Sequence, residues 1–157
     1  MSGERIRSHV RQSSGKVSCL LDTNVVSELM RASPTHEVVE WLDAQQTRDL
    51  FVTSVTEAEI RAGMAVLPEG ARRRGLVAAA ERVFGNLFAG RVLSFDSAAA
   101  RAYAEVFATR QAAGRPLSLA DGQIAAIARS RGKAVVTRNV GDFEGAGVEL
   151  VDPWAAV

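Results

Sequence analysis

The stretch that decides the fold is "VSCLLDTNVVSELM", Val17 to Met30. Val17, Cys19, Leu20 and Leu21 make a short apolar run, the pattern of a strand buried on both faces. Asp22, Thr23 and Asn24 follow at once, and Val25, Val26 and Leu29 then recur at helical spacing. A core strand therefore ends in a carboxylate at the entrance to a helix. Asp, Thr and Asn are all favourable N-cap residues, so a helix cap is the simplest reading of the triplet. A functional reading requires other polar groups that the fold brings to the same place.

Outward from this stretch, short apolar runs recur at 50–53, 92–95, 134–137 and 148–151. Helical patterns occupy 25–30, 37–45, 56–67, 71–87, 98–113 and 119–131. "PEG" at 68–70 and "GRP" at 114–116 mark helix boundaries. Alternation of apolar strands with helices predicts an α/β fold, a parallel sheet covered on both faces. Ligands in such sheets bind beyond the carboxyl ends of the strands, and Asp22 stands at one of these ends.

The bulk properties limit the alternatives. A chain of 157 residues is one domain, large enough to bury a core without disulfides or structural metal. No apolar run reaches the length of a membrane span. The opening "MSGERIRSHVRQSSGK" has basic residues but no apolar stretch behind them, so it does not read as a secretory signal. Residues 1–16 read as a flexible arm or a non-native extension, and 17–157 as the single domain. One cysteine, Cys19, excludes an intramolecular disulfide and agrees with a cytoplasmic location. Its place in a strand makes it a core residue rather than a nucleophile.

A net charge of +1 permits a polyanionic partner without demanding one. Of nineteen basic residues, all but Lys16 and Lys133 are Arg, the side chain suited to forked phosphate contacts. The densest cluster, Arg72 to Arg74, reads first as a solvated helix face.

Most carboxylates have ordinary positions. Glu37, Glu40, Glu69, Glu81 and Glu105 suit exposed helix faces, and Asp96 suits an N-cap before "SAAARAYAEVF". In "SVTEAEIRAGM", Ser54 and Glu57 have capping-box spacing, which accounts for Glu57. Glu59 lies one turn from Val55 and from Ala62 and Gly63, on a face of small and apolar residues. In "PLSLADGQIAAIARS", Asp121 could complete a box with Ser118, yet Leu117, Ile124, Ala125 and Ala128 place it on the apolar stripe. An ionised carboxylate buried there needs a partner. Finally, "AVVTRNVGDF" ends a strand at Thr137 and puts Arg138, Asn139 and Asp142 in the following loop, on the edge that carries Asp22 if the two strands are parallel neighbours.

Several carboxylates converging on one sheet edge require a counter-charge, from Arg or from a divalent cation. Oxygen ligands without His or Cys favour Mg²⁺ or Mn²⁺ over Zn²⁺. The two histidines, His9 and His36, lie away from these segments, which argues against a paired-histidine nuclease. No Ser-His-Asp set, P-loop or GxGxxG fingerprint is present.

With these residues in place, the sequence resembles the PIN-domain ribonucleases, in particular the VapC toxins of bacterial toxin–antitoxin pairs and their FitB-like branch. "LLDTNVVSEL" resembles the first motif of the family, "SVTEAEIRAG" the second, "LADGQIAAIA" the third and "VTRNVGDF" the fourth, and the terminal "DPW" is similar to the branch as well. The similarity runs from about Val17 to Trp154. It implies a PIN-like three-layer sandwich with a central, mostly parallel sheet flanked by helices. It also implies a Mg²⁺-dependent endoribonuclease, with Mn²⁺ as substitute. Asp22 and Asp121 would be the principal metal ligands, supported by Glu59, with Asp142 as the fourth acid because Asn139 stands where some relatives carry Asp. Asn24 would position Asp22, and Arg61, Arg138 and Arg72 to Arg74 would contact substrate phosphates. The implied partners are a cognate antitoxin of the VapB or FitA kind, an RNA substrate and a second copy of the chain, giving a homodimer and larger assemblies with antitoxin.

Three other readings compete. A non-catalytic module of the same fold would bind RNA or protein through an incomplete acidic site, for which Asn139 is the support. A phosphoacceptor domain would need a Lys after a later strand, whereas Lys133 precedes its strand. A DxD phosphatase would need an acid where Asn24 stands.

Overall fold

The computed structural model describes residues 17–155. The reading of residues 1–16 as an arm, and the last two residues of the domain, lie outside them. Five strands form one sheet: β1 (Cys19–Leu21), β2 (Leu50–Thr53), β3 (Val92–Leu93), β4 (Ala134–Val136) and β5 (Leu150–Val151). Their order is β3-β2-β1-β4-β5, and every pairing is parallel, so the expected mostly parallel sheet is wholly so among the described residues.

The chain builds outward from β1 through β2 to β3, then crosses to β4 and β5 on the other side. The reversal falls between β1 and β4, which pair in the register Cys19–Ala134, Leu20–Val135 and Leu21–Val136. Open α/β sheets bind ligands at such a switch point, where loops diverging from neighbouring strand ends leave a crevice.

Seven α-helices occur among the described residues: α1 (Thr23–Leu29), α2 (His36–Asp43), α3 (Ser54–Ala65), α4 (Ala71–Ala80), α5 (Ser97–Ala112), α6 (Leu119–Ser130) and α7 (Val140–Phe143). Side chains alternate across the strands and divide the core into two layers. Cys19, Leu21, Ala134 and Val136 pack with Val25, Val38, Ile60, Met64 and Phe84 from α1 to α4 and its continuation. Leu20 and Val135 point the other way, onto Val106, Ile124, Ala125 and Ile127 of α5 and α6 and Phe143 of α7. This is the three-layer sandwich. None of the described helices is long and apolar enough to cross a membrane.

The elements begin and end for local reasons. Gly132, at φ +64°, closes α6 in the left-handed conformation that glycine adopts without strain, and the chain turns into β4. Asp96 caps α5 by accepting from the Ala99 N–H at 2.9 Å. The predicted helix over 71–87 changes character at Glu81, where α4 widens into a π-helical stretch, Glu81–Leu87. Two local expectations are corrected. The cap of α3 is Thr53, whose hydroxyl accepts from the Thr56 N–H at 3.0 Å; Ser54 is already helical, and Glu57 bonds Arg61 instead of closing a capping box. Asp142 lies within the single turn of α7 rather than in a loop. Cys19 is buried, and burial pushes its thiol up to about 12, which leaves it an inert core residue.

Candidate active site

Asp22 closes β1 and caps α1, so the helix-cap reading of the opening stretch holds. The residue is only 4% exposed. Its Oδ1 accepts from the Thr23 N–H at 2.8 Å. Its Oδ2 accepts from the Thr137 hydroxyl at 2.8 Å and from Asn24 Nδ2 at 3.2 Å. A carboxylate offers about four lone-pair positions, and these three donors leave one open on Oδ1.

Thr137 follows β4 directly, so its bond to Asp22 spans the switch point. Thr137 Oγ1 also accepts from the Asn139 N–H at 3.0 Å, and Asn24 Oδ1 accepts from the Arg138 N–H at 3.3 Å. The β4–α7 connection is thereby tied to the start of α1. On the other side, the Thr23 hydroxyl donates to Glu59 Oε1 at 2.7 Å and lies 2.9 Å from the Thr56 hydroxyl. Glu59 is a pure acceptor when ionised, so the Thr23 proton goes to Glu59 and Thr56 donates to Thr23.

The remaining acids complete the edge. Asp121 lies in the first turn of α6, where Ser118 Oγ caps its N–H at 3.2 Å. It is half-buried, at the border of the apolar stripe rather than within it. Asp142 and Glu59 are exposed, so Glu59 does not share the buried face of α3 held by Thr56, Ile60 and Met64. The segment carrying Asp142 is held from behind: Arg110 Nη1 bonds the Glu144 carbonyl and Arg115 Nη2 the Gly141 carbonyl. Arg110 is buried, and its Nε has no hydrogen-bond partner.

The electrostatics connect the acids. Burial, reinforced by the charges of Asp121 and Glu59, raises Asp22 to about 6 against the opposing hydrogen bonds from Thr137 and Thr23. Burial also raises Asp121, as do the charges of Asp142 and Glu59, while Ser118 pulls it down. None of the four acids forms an ion pair among the described residues, whereas Glu28, Glu57, Glu81, Asp96, Glu105 and Glu144 all meet an Arg. Among the described residues, no arginine supplies a counter-charge to these four acids. Nor do any three Asp, Glu, His or Cys side chains of the described residues form a ready-made metal cage.

The arginines singled out in the sequence separate. Arg61 is engaged by Glu57 at 2.8 Å and Glu81 at 3.0 Å. Arg72 and Arg74 are exposed on α4 and Arg73 is half-buried there. Arg138 is exposed beside the β4 end. The sequence reading missed Thr137, Thr23 and Thr56; the only signal for Thr137 was a hydroxyl residue at the same strand end as Arg138 and Asn139.

Comparison with known proteins agrees with this architecture. Residues 19–146 match the family model described as the PIN domain. Plasmid stability protein StbB of Pseudomonas syringae pv. tomato is 46% identical over 137 residues, covering 87% of this chain and 99% of that protein. VapC ribonuclease Y4jK of Sinorhizobium fredii is 42% identical, with coverage of 86% and 96%. Toxin FitB of Neisseria gonorrhoeae is 40% identical, with coverage of 86% and 97%. Among solved structures, that of FitAB bound to a DNA fragment superimposes with a TM-score of 0.80 at 40% identity, over 87% of this chain and 95% of the other. The chain belongs to the PIN-domain family, on the branch that holds the VapC and FitB toxins.

Proposed function

We propose that the chain is a metal-dependent endoribonuclease and the toxin of a toxin–antitoxin pair, with Asp22, Asp121 and Glu59 holding Mg²⁺ or Mn²⁺ directly or through water. The observation that supports it best is the uncompensated charge at the switch point. The charges of Asp121 and Glu59 add to the burial that raises Asp22, and those of Asp142 and Glu59 add to the burial that raises Asp121. No Arg or Lys pairs with any of the four acids among the described residues. The donor set is entirely carboxylate and hydroxyl oxygen, the chemistry that hard divalent cations prefer. The open lone pair on Asp22 Oδ1 offers a first ligand.

In this reading the residues divide the work. Asp22 is fixed by Thr23, Asn24 and Thr137, so its free lone pair has one direction. Asp121 is fixed at the first turn of α6 by the Ser118 cap. Glu59 is held through Oε1 by Thr23, and its other oxygen is open to orient the attacking water and take its proton. Asp142, whose charge reaches Asp121, is the second group able to do so. A divalent cation, when bound, supplies Lewis acidity to the scissile phosphate and lowers the pKa of its water. The names of the VapC ribonuclease and of Toxin FitB support both halves of the reading, nuclease and toxin. FitAB, solved on DNA as an assembly of more than the toxin, supports a partner protein of the antitoxin class.

The test is cleavage of a mixed RNA substrate with Mg²⁺ or Mn²⁺, with EDTA and Asp22→Asn protein as controls. Cleavage lost in both controls is the expected result. Absence of cleavage together with absence of Mn²⁺ binding by calorimetry would favour a binding module of the same fold.

A further inference from the structure

Beside the acidic edge, the guanidinium of Arg138 lies 5.0 Å from the centroid of the Trp154 ring. The two residues meet because the consecutive strands β4 and β5 are neighbours and the chain continues past the carboxyl end of each. Arg138 is anchored at its backbone, where its N–H bonds Asn24 Oδ1, the residue that also bonds Asp22. Trp154 is anchored too: its N–H bonds Asp152 Oδ1 at 2.9 Å, and its ring packs on the core layer that includes Val136 and Val151.

Arg138 is exposed and forms no ion pair among the described residues, in contrast to Arg61, Arg115, Arg129 and Arg131. An exposed arginine normally loses much rotamer freedom when it binds. One already held against an indole loses less and keeps its N–H edge free for a phosphate. We propose that Arg138 and Trp154 form a phosphate-holding site for the single-stranded RNA that flanks the scissile bond, with Arg138 making the contact and Trp154 acting as its positioning residue. The proposal rests on the ribonuclease reading and adds a binding element to it. A guanidinium in a set plane suits the forked geometry of a phosphate, which an ammonium group cannot reproduce.

The experiment measures anisotropy of a labelled single-stranded RNA with the full chain in EDTA across a salt series, then KM and kcat with Mn²⁺. Arg138→Ala is expected to weaken binding by about tenfold and to lower the slope of log affinity against log salt by about 0.7. KM rises and kcat is nearly unchanged. Arg138→Lys recovers the salt slope but only part of the affinity. Trp154→Leu weakens binding by roughly threefold, Trp154→Phe restores most of it, and the Arg138→Ala/Trp154→Leu double variant binds no more weakly than Arg138→Ala alone.

Unchanged affinity and salt slope in Arg138→Ala would overturn the site, and this arm is independent of any effect of Trp154 on folding. Losses that multiply in the double variant would overturn the role of Trp154. Wild-type protein that neither binds nor cleaves RNA would overturn the ribonuclease reading and this inference with it. Wild-type cleavage matched by the variants in KM would overturn this inference alone.

Discussion

The hydroxyl of Thr137 donates to Oδ2 of Asp22 at 2.8 Å, joining the carboxyl ends of β4 and β1 across the switch point of the sheet. Both residues are buried, and the contact links positions 115 residues apart in the chain. The bond favours the ionised form of Asp22 and so opposes the burial that raises its pKa. Hydrogen bonds to charged groups contribute roughly 1.5–3 kcal/mol. Thr137→Val keeps the volume and removes the donor, and it also strands the Asn139 N–H. The variant should bind Mn²⁺ at least about tenfold more weakly near neutral pH, by calorimetry, and lose cleavage in proportion. Thr137→Ser should retain most of both. Equal Mn²⁺ affinity in the Val variant would show that the bond does not prepare the carboxylate.

The raised pKa of Asp22 predicts a pH dependence of stability whose sign is opposite to that of a salt-bridged acid. The folded state holds the Asp22 proton up to about pH 6, against an ordinary value of 3.8. This group therefore contributes its stabilisation when protonated, and the contribution is lost as pH rises from below 3.8 through 6. The gap corresponds to about 3 kcal/mol when fully developed. In urea titrations with EDTA, the stability of Asp22→Asn relative to wild type should rise by up to about 3 kcal/mol between about pH 3 and pH 7. An amide nitrogen in place of Oδ1 would meet the Thr23 N–H donor head-on, which lowers the variant's stability equally at every pH and leaves the rise itself unchanged. Adding Mn²⁺ should stabilise wild type and leave the variant unmoved. A difference that stays flat with pH would mean that Asp22 is not held protonated by its surroundings.

The reach of the sequence can be judged from particular residues. The apolar runs located all five strands because a strand covered on both faces cannot alternate polar and apolar side chains. Only the ends drifted, as at Val17 and Phe95, where apolar residues continue beyond the ladder. Asp22 and Asp121 were visible because an acid beside buried positions conflicts with its surroundings. Thr137 was not, since a threonine that ends "VVT" is also a good strand residue, and its second use depends on Asp22 arriving from far along the chain. The Thr23–Glu59 bond was hidden for the same reason. The misread cap, Thr53 rather than Ser54, reflects two hydroxyl residues in a row at a strand–helix junction, where only the backbone conformation distinguishes them. Arg61 looked free in sequence and is engaged by Glu57 on its own helix and by Glu81 at the end of the next one.

Glu57 and Glu59 are two residues apart on α3 and face different partners, which allows a sharp comparison. Glu57 meets Arg61 at 2.8 Å, a partly exposed pair worth at most about 1 kcal/mol. Glu59 accepts from Thr23, next to Asp22. Glu59→Gln should lower kcat by about a hundredfold, in line with the loss of a positioned proton acceptor, while thermal stability stays near wild type. Glu57→Gln should cleave normally and melt slightly lower. The reverse pattern in cleavage assays would assign the second acid to Glu57 and displace the site by part of a helical turn.

Gly122 follows Asp121 and is buried where α6 crosses α5. A Cβ built at this position would lie 2.9 Å from Cε2 of Tyr103. The tyrosine is half-buried and stacks on Phe107, with ring centroids 6.0 Å apart, while Phe95 meets its ring edge-on at the same separation. An alanine at 122 therefore requires either a shift of this aromatic group or a retreat of the first turn of α6. Overpacking of this kind costs about 1–3 kcal/mol, and the lower end applies here because Tyr103 is only half-buried. The intrinsic helix preference for Ala over Gly, close to 1 kcal/mol, acts in the opposite direction. Gly122→Ala should thus change stability by less than about 1 kcal/mol, yet displace the turn that carries Asp121. The expected signature is a nearly unchanged urea midpoint with clearly weaker Mn²⁺ binding. A variant with wild-type Mn²⁺ affinity would show that Tyr103 moves aside and that the turn bearing Asp121 stays in place.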